Sequence, residues 1–414
     1  MAFGDMAHGS VMPQSVAVFG ATGSIGASAL AVIRRHPERF TVVAVSAHRR
    51  WAPLLEICQT FRPRWAVVVD PDAANALRAH LAAEDLPTEV LSGADALVTV
   101  AQASDVDTVI AGVVGGAGLP STYAAVAAGK RVLLANKEAL VMTGALLTET
   151  ARRSGAVLLP IDSEHNALFQ CLGSLVVTTE SGGWQLKDAQ QMIRRLVLTA
   201  SGGPFRTRDP GTFASITPEE ACAHPTWSMG QKISVDSATM MNKGLEVIEA
   251  MWLFGLPLER IEVLIHPQSI VHALVEYCDG SVLAHLSEPD MRVPIAHALA
   301  WPRRITSGAS WLALVVRETL TFAAPDFDRF PCLRLAFEAA RTGDCAPTVL
   351  NAANEVAVAA FLERRLAFDR IPAVIAETLA EIPVTAVTSV EAALAIDQAA
   401  REKARRWVSR WSIG

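Results

Sequence analysis

The sequence lacks several features that mark other classes of protein. Its longest apolar runs, such as residues 263–265, are far shorter than the roughly 18 consecutive apolar residues that span a bilayer. Lys and Arg number 36 against 42 Asp and Glu, so the net charge of −6 offers no general positive field for nucleic acid. The six cysteines form no CxxC pair, and the N-terminus has no charged head followed by an apolar segment. We therefore expect a cytoplasmic protein with neither a nucleic-acid nor a membrane partner.

The chain is long enough to form several hydrophobic cores. Its 414 residues suggest two or three domains, at roughly 100 to 200 residues per domain. Residues 1–13 show no hydrophobic periodicity, and we expect them to form a loose extension. The pattern of the remaining residues changes along the chain. It predicts domains over 1–161, 162–300 and 331–414, with a linker over 301–330.

The first domain alternates short apolar β-branched runs with Ala-rich stretches of helical spacing. Such alternation is typical of βαβ units in a parallel sheet that is covered on both faces. The predicted fold class is therefore α/β, with an N-terminal doubly wound, Rossmann-like domain. The runs cover residues 16–19, 27–34, 42–45, 66–69, 109–114 and 132–135.

The later domains have different patterns. An apolar strand over 195–200 and a hairpin signal, Asp-Gly at 279–280 between two alternating runs, predict an α+β domain that contains a sheet. Residues 301–330 have little periodicity, which suits a linker. From Pro331 onward, apolar residues recur every three or four positions, which predicts a C-terminal helical bundle. Its helices are expected over 332–342, 347–365, 371–381 and 389–411.

A glycine-rich turn follows the first apolar run. Gly20-Ala-Thr-Gly-Ser-Ile-Gly26 lies between a predicted strand and a predicted helix, where backbone N–H groups can bind a pyrophosphate. No Gly-Lys-Ser/Thr follows, so a Walker-type phosphate loop is disfavoured. The alternative is a tight turn that needs glycine only for packing between helix and strand. We favour a dinucleotide site.

The end of the second predicted strand indicates which dinucleotide is bound. An NAD enzyme places an acid on the ribose 2′-hydroxyl about 20 residues after the glycine turn, but here Ala47 is followed by His48, Arg49 and Arg50. Arginine can bind a 2′-phosphate with two hydrogen bonds, whereas a carboxylate would repel it. The sequence predicts NADPH. Two solvated arginines at a strand end are the alternative.

Two acids follow the apolar run 158–161. In an extended chain, Asp162 and Glu164 point to the same side, and their hard oxygen ligands favour Mg²⁺ or Mn²⁺. A helix cap is the alternative for such a triplet. His165 would face the other way, and we expect it to be structural.

A polar segment over 232–246 is a second candidate. On a helix, Asn242 and Glu246 share a face, so Glu246 is a further candidate metal ligand, while Lys243, Asn242 and Ser237 are suited to a phosphate. A half-buried helix with a solvated edge fits the spacing equally well.

Three shorter segments complete the candidates. Residues 201–204, Ser-Gly-Gly-Pro, suit either an anion-binding turn or a simple loop. Residues 224–230 combine His, Trp and Met with Pro and Gly, which suits a mobile lid, although packing is the alternative for the His or the Trp alone. Residues 136–138, Asn-Lys-Glu, follow a strand at the carboxyl edge of the predicted sheet, where ligands bind. A surface ion pair between Lys137 and Glu138 is the alternative.

Taken together and in order, these motifs resemble the 1-deoxy-D-xylulose 5-phosphate reductoisomerase family. The resemblance covers nearly the whole chain, and it departs from the family pattern at His48-Arg49-Arg50, at Thr226 and over residues 172–192. The motifs that carry it are Gly20-Ala-Thr-Gly-Ser-Ile-Gly26, Asn136-Lys-Glu138, Asp162-Ser-Glu-His-Asn166, Ser201-Gly-Gly-Pro204, His224-Pro-Thr-Trp-Ser-Met-Gly230, Asn242-Lys-Gly-Leu-Glu246, Leu264-Ile-His-Pro-Gln-Ser269, Glu288-Pro-Asp-Met-Arg292 and Leu350-Asn-Ala-Ala-Asn-Glu355.

The resemblance implies a homodimeric enzyme of non-mevalonate isoprenoid synthesis. Such an enzyme rearranges 1-deoxy-D-xylulose 5-phosphate, by retro-aldol cleavage and aldol recombination in our interpretation, and reduces the product with NADPH to 2-C-methyl-D-erythritol 4-phosphate. An NADP-dependent dehydrogenase without rearrangement and a non-catalytic NADP-binding regulator are the competing hypotheses.

The resemblance also assigns site residues. The metal ligands are Asp162, Glu164 and Glu246. The catalytic set adds Lys137 and His224 to these three acids. The substrate contacts are Ser163, Ser201, His224, Trp227, Ser237, Asn242, Lys243 and Glu246, with Met229 on the closing flap. The cofactor contacts, together with those expected from position, are Thr22, Gly23, Ser24, Ile25, Ala47, His48, Arg49, Arg50, Asn136, Lys137, Glu138, Gly230 and Met291.

Overall fold

The structure is a computed structural model that describes residues 13–179, 183–223, 227, 229–316 and 319–412. None of the helices in these ranges is both long enough and apolar enough to cross a membrane.

The N-terminal part is a parallel sheet of seven strands with helices on both faces. The strand order is β4-β3-β2-β1-β5-β6-β7, so the direction of winding reverses between β1 and β5. This confirms the doubly wound prediction. The strands are β1 Gln14–Phe19, β2 Phe40–Ala47, β3 Trp65–Val68, β4 Glu89–Ser92, β5 Thr108–Ala111, β6 Arg131–Leu134 and β7 Val157–Pro160. The helices between and after them are α1 Ser24–Arg34, α2 Trp51–Phe61, α3 Pro71–Ala83, α4 Ala94–Gln102, α5 Leu119–Ala127 and α6 Lys137–Ser154.

Burial explains why the central strands read as continuous apolar runs. Residues 16–19 of β1 are at most 1% exposed, and Val109 and Ile110 of β5 are fully buried. A strand covered on both faces gains from every side chain, about 1.5–3 kcal/mol for each large apolar residue. The carboxyl ends of β1 and β5 are therefore held rigidly where the winding reverses, which is where ligands bind in open α/β sheets.

The second part contains a mixed sheet. Strands β10, β11, β12 and β13 lie in the order β11-β10-β12-β13, and the turn at Asp279-Gly280 joins β12 and β13 as an antiparallel hairpin, as predicted. Helix α7 packs on β12 and β13. The strands of this part, including the small pair β8 and β9, are β8 Val176–Thr178, β9 Trp184–Leu186, β10 Ile193–Ala200, β11 Ile261–Ile265, β12 Val271–Tyr277 and β13 Val282–Leu286. The helices are α7 Ser163–Cys171, α8 Ala189–Met192, α9 Pro218–Cys222, α10 Gln231–Ala238, α11 Met241–Phe254 and α12 Arg292–Ala300.

The C-terminal part is helical, in agreement with the sequence pattern. Helix α14 packs against α6 and α10 as well as its neighbours, so it reaches both earlier parts of the chain. It ends at Leu362, before the predicted end at 365, because Arg364 adopts a left-handed φ of 59°. The helices are α13 Pro331–Thr342, α14 Ala346–Leu362, α15 Ile371–Glu381 and α16 Val390–Arg410.

One local prediction was wrong in its backbone, and the structure excludes the alternative for a second segment, although Asn242 and Glu246 do share α11 as predicted. Residues 162–164 are not extended: Asp162 is the N-cap of α7, and its carboxylate accepts a hydrogen bond from Ser163 N–H. The segment 232–246 is two helices, α10 and α11, separated at Met240, which has a φ of 62°. Its polar edge is not solvated, since Glu246 is fully buried and Lys243 is 4% exposed.

Candidate active site

A cavity of about 580 Å³ opens at the carboxyl ends of β1 and β5 and extends to the mixed sheet. The starts of α6 and α7, the helices α10 and α11 and the loop before α12 contribute to its walls. Of the residues predicted to belong to the site, those that line the cavity are Gly23, Ser24, Ile25, Asn136, Lys137, Glu138, Asp162, Ser163, Glu164, Ser201, Trp227, Met229, Gly230, Ser237, Asn242, Lys243, Glu246 and Met291.

The glycine turn packs tightly and also opens onto the cavity. A Cβ at Gly20, whose φ is 72°, would lie 2.4 Å from the carbonyl oxygen of Gly112, and a Cβ at Gly26 would lie 2.5 Å from Ala21 backbone atoms. Glycine is therefore required for packing here. Gly23 is the N-cap of α1 and has no side chain to cap the first turn, so the backbone N–H groups that begin α1 are positioned for an anion. The packing requirement is thus met at Gly20 and Gly26, and the dinucleotide contacts of this turn stay a prediction.

The end of β2 does not line the cavity itself. Thr22, Ala47, His48, Arg49 and Arg50 lie beside it, and the structure links two of these predicted contacts directly. The guanidinium of Arg50 donates to the carbonyl oxygen of Thr22 at 2.9 Å, while Arg49 Nε donates to Asp70 Oδ2 at 2.9 Å. Arg50 therefore lies next to the glycine turn, whereas Arg49 pairs with the N-cap residue of α3.

Three carboxylates converge on the opposite wall. Asp162, Glu164 and Glu246 each offer an oxygen that lies within 4.8 Å of those of the other two. The first two come from the start of α7 and the third from α11, and helix packing brings them together. The helical N-cap at Asp162 thus brings it into the acid cluster, so a cap and a ligand set are not exclusive alternatives.

Two lysines neutralise this acid cluster. Lys137 Nζ lies 2.5 Å from Asp162 Oδ2 and 3.2 Å from Glu246 Oε1. Lys243 Nζ lies 2.7 Å from Glu164 Oε1 and also contacts Glu246 Oε2. Asn242 Nδ2 donates to Glu246 Oε1 at 2.5 Å. Glu246 is thus the shared centre of the cluster, and both lysines are almost fully buried with it.

The electrostatics of the cluster separate its acids. Burial would raise the pKa of Glu164, but the Lys243 ammonium and hydrogen bonds from Lys243 and Ser163 lower it to about 2. Burial raises the pKa of Glu246 to about 7, helped by the negative charge of Glu164 and opposed by the two lysines. The pKa of Glu164 is thus lowered and that of Glu246 is raised, so the two neighbouring carboxylates differ in their affinity for a proton.

The loop after β10 and the lid segment line the remaining part of the cavity. Gly202 and Gly203 have φ values of 83° and 69°, and Ser201 Oγ accepts from Gly203 N–H at 3.1 Å. Trp227 packs edge-on to His272 with ring centroids 6.2 Å apart. His224, predicted to be catalytic, lies outside the described residues.

Several buried polar groups beside the site were not predicted from the sequence. Lys232 bridges Glu138 Oε1 at 2.9 Å and Asp236 Oδ2 at 2.8 Å. Glu249 is fully buried 3.5 Å from His165 Nδ1, and burial first, then the charges of Asp162 and Glu246, raises its pKa well above the usual value. The position of Glu249, three residues after Glu246 on the same helix, is the signal that could have identified it.

His165, which we expected to face away from the acids, lies beside them, with its Nδ1 3.8 Å from Asp162 Oδ2. It is fully buried, and its Nε2 lies 2.9 Å from the carbonyl oxygen of Glu246, so it links α7 to α11. Burial lowers the pKa of His165 to about 4. The neutral ring donates through Nε2 and leaves Nδ1 as an acceptor that faces Glu249.

Comparison with known proteins gives consistent matches along the chain. Residues 16–144 match the family model of 1-deoxy-D-xylulose 5-phosphate reductoisomerase, and residues 158–254 and 286–403 match models of its C-terminal domains. The enzyme of that name from Cellvibrio japonicus is 56% identical over 399 residues, which cover 96% of this chain and 99% of the relative. The one from Pseudomonas putida strain W619 is 58% identical over 397 residues, covering 96% and 98%.

Solved structures agree with the sequence matches. A crystal structure of DOX-P reductoisomerase in complex with NADPH, fosmidomycin and magnesium superposes with a TM-score of 0.88 at 46% identity, covering 96% of this chain and 98% of the other. The enzyme from Zymomonas mobilis in complex with NADPH gives a TM-score of 0.86 at 45% identity, covering 96% and 99%. With its fold, its cavity and its full-length similarity in agreement, the chain belongs to the 1-deoxy-D-xylulose 5-phosphate reductoisomerase family.

Proposed function

We propose that this protein converts 1-deoxy-D-xylulose 5-phosphate to 2-C-methyl-D-erythritol 4-phosphate with NADPH and a divalent cation. The observation that carries the proposal is the single cavity in which a dinucleotide-type glycine turn faces three convergent carboxylates. A dehydrogenase without rearrangement requires the turn but has no use for the acid cluster. A binding regulator requires neither the cluster nor its buried lysines.

The donor set fits a hard divalent cation. The three residues Asp162, Glu164 and Glu246 supply only oxygen atoms, which suits Mg²⁺ or Mn²⁺ better than a structural zinc ion. Asp162 Oδ2 is buried and makes no hydrogen bond within the described part of the chain, although it contacts Lys137. When bound, the cation would act as a Lewis acid toward the substrate oxygens, a contribution of several kcal/mol in such sites.

The residues of this chain have separate roles in the proposed reaction. Lys137 holds an ammonium group 2.5 Å from Asp162, at the point where the acid cluster meets the cofactor side of the cavity, and so it can donate a hydrogen bond to a substrate oxygen. Ser163 donates to Glu164 at 2.5 Å and fixes that carboxylate. Lys243, Asn242, Ser237 and Ser201 line the wall proposed to hold the substrate phosphate.

The cofactor is proposed to lie along the glycine turn. The start of α1 supplies backbone donors to its pyrophosphate, and Asn136, Glu138 and Met291 lie along the wall that leads to the acid cluster. Arg49 and Arg50 extend the site toward the 2′-phosphate. Hydride transfer then takes place beside the acid cluster rather than in a separate compartment.

The flap is proposed to enclose the substrate. Trp227 and Met229 line the cavity with apolar surface, and Gly230 precedes α10, where the chain can bend. Excluding water strengthens the interactions inside the cavity and retains fragments that form during retro-aldol cleavage and aldol recombination. We assign His224 to the reacting end on the family resemblance alone.

We further propose that the protein is a homodimer of the reducing cytoplasm. Strand β13 is an edge of the mixed sheet, and its Val282 and Leu283 are about half exposed. Trp311 and Val315 are 96% and 97% exposed, a combination that favours burial against a second copy. All six cysteines are free, which suits a reducing compartment. A monomer in sedimentation experiments at micromolar concentration would contradict the dimer.

An absorbance assay at the NADPH band tests the main proposal. NADPH should be consumed with 1-deoxy-D-xylulose 5-phosphate when Mn²⁺ is present and not after treatment with EDTA, and the product should be identified by mass and NMR. Unchanged consumption in EDTA would favour the simple dehydrogenase. No consumption with any keto-sugar phosphate, despite NADPH binding, would favour the regulator.

A further inference from the structure

We propose that Glu355, on helix α14 of the C-terminal part, is a positioning residue for NADPH binding. It acts through the loop of residues 112–118 that follows β5, here called the β5 loop. Val113 and Val114 of this loop line the cavity next to the glycine turn. The proposal rests on the proposed use of this cavity for NADPH, and it gives a function to the motif at 350–355, which the site itself does not use.

The carboxylate of Glu355 holds the β5 loop from one side. Its Oε1 accepts a hydrogen bond from Gly116 N–H at 3.0 Å, and its Oε2 accepts from Arg401 Nη2 at 2.6 Å. Arg401 is fixed in turn by Asp397, whose Oδ2 accepts from Arg401 Nε at 2.6 Å. A charged acceptor with an ordered partner forms stronger hydrogen bonds than a neutral group.

The backbone of the β5 loop is shaped to meet this carboxylate. Gly115 has a φ of 77°, and a Cβ at this position would lie 2.8 Å from Glu355 Oε1. Only glycine therefore allows the loop to approach so closely. The adjacent hydrogen bond from Gly116 to Glu355 joins residues that are separated by 239 positions in the chain.

Asn136 holds the same loop from the other side. Its Nδ2 donates to the carbonyl oxygen of Gly115 at 3.0 Å and also contacts that of Val113, while its Oδ1 accepts from Ala139 N–H at the start of α6. The loop is thus clamped between the N-terminus of α6 and helix α14. Releasing one side of the clamp leaves Val113 and Val114 free to shift along the cofactor wall.

The neighbouring Asn354 extends the support to the flap side of the cavity. Its Nδ2 donates to Asp236 Oδ1 at 2.8 Å, and Asp236 pairs with Lys232, which reaches Glu138. Helix α14 therefore steadies α10, which begins just after the flap. We assign the cofactor effect to Glu355 because it contacts the β5 loop directly.

The test is Glu355→Gln, a change that keeps size and removes charge. Its control is Glu363→Gln, at the exposed C-cap position directly after the same helix. NADPH affinity should be measured by fluorescence titration without substrate, and KM for both substrates, kcat and Tm should be measured alongside it. The glutamine amide keeps an acceptor for Gly116 N–H but loses the charge and the hydrogen bond from Arg401 that fixes the side chain. We therefore expect Glu355→Gln to weaken NADPH binding and to raise the KM for NADPH by about tenfold. In Glu355→Gln, the KM for the sugar phosphate should not change. In the control Glu363→Gln, none of these quantities should change.

Two outcomes would overturn the proposal. One is an unchanged NADPH affinity in Glu355→Gln. The other is an equal rise in KM for NADPH and for the sugar phosphate together with a fall in Tm, because this result would indicate general destabilisation. If Glu355→Gln does not fold, the same measurements apply to Arg401→Lys. This change keeps the positive charge but removes the guanidinium that joins Glu355 to Asp397. Failure of the proposed function would look different, since the wild type would then consume no NADPH with the sugar phosphate.

Discussion

Glu246 is the shared centre of the acid cluster, and removing its charge is the most informative perturbation. In Glu246→Gln, each lysine keeps one acid partner, because Lys137 still contacts Asp162 and Lys243 still contacts Glu164. Breaking a buried ion pair costs about 3–5 kcal/mol when it leaves a charge without a partner, but neither lysine is left in that state. We expect the metal-free variant to lose no more than about 1–2 kcal/mol of unfolding free energy.

The loss should appear in cation binding and in turnover. Replacing a residue that only supports a metal ligand costs about 10- to 100-fold in affinity, and the loss of one of three charged ligands should cost at least as much. Titration of Mn²⁺ by calorimetry and the NADPH absorbance assay measure the two effects. NADPH affinity should not change, since the glycine turn lies on the opposite wall. Full turnover by Glu246→Gln would refute the metal assignment.

The matched control for this variant is Glu249→Gln, one turn further along the same helix and equally buried. Burial, together with the charges of Asp162 and Glu246, raises the pKa of Glu249, and its Oε2 lies 3.5 Å from His165 Nδ1. A glutamine amide can donate to the same nitrogen. Turnover and Mn²⁺ affinity should therefore stay close to those of the wild type, and a loss as large as that of Glu246→Gln would mean that the two acids act as one ligand set.

Three further predictions follow from burial and charge. Glu249→Ala, unlike Glu249→Gln, leaves a cavity beside His165 and should lower the unfolding free energy by about 2–4 kcal/mol in urea titrations; an equal loss in Glu249→Gln would show that its amide does not replace the carboxyl group beside His165. Burial lowers the pKa of His285 to about 4 and of His297 to about 3, so both are neutral in the fold and protonated in the unfolded chain below about pH 6.5. The contribution of these histidines to the unfolding free energy should be fully present above about pH 6.5. It should fall by about 1.4 kcal/mol per histidine for each pH unit below that, until the folded pKa of each is reached, and His297→Gln should reduce this slope. Arg49→Ser should raise KM for NADPH more than for NADH, with the ratio of the two as the readout; an unchanged ratio would mean that Arg49 serves only its pair with Asp70.

Much of the fold could be predicted from the local pattern of apolar residues, because the spacing of these residues in each helix or strand depends on which of its faces are buried. The strands of the parallel sheet read as continuous apolar runs since both of their faces are covered, and the four C-terminal helices show the three- and four-residue spacing of one buried side. Asp279-Gly280 specified a hairpin through its turn geometry alone. These signals do not depend on distant residues.

The predictions that failed concern groups whose conformation depends on their neighbours. Asp162 and Glu164 fit an extended pair equally well in sequence, and only the packing of α7 against the mixed sheet decides for a helix. For residues 232–246 the alternative of a solvated helix edge could not be excluded from the sequence, because the packing of α6 and α13 on α11 involves residues far away in the chain. The burial of Glu249 could not be predicted for the same reason. A charged residue is expected to be exposed unless its partners on other elements are known.

The same packing explains why the acid cluster and the phosphate wall should act together. Asn242, Lys243 and Glu246 lie close together on α11. The side chains of Asn242 and Lys243 both donate hydrogen bonds to the carboxylate of Glu246. If Asn242 and Lys243 hold the substrate phosphate and Glu246 holds the cation, as we propose, binding of either ligand would weaken the hydrogen bonds that now join these three side chains. Because both events would draw on the same hydrogen bonds, we expect the first ligand to lower the cost of binding the second. Mn²⁺ affinity measured with and without the sugar phosphate tests this expectation, and equal affinities would contradict it.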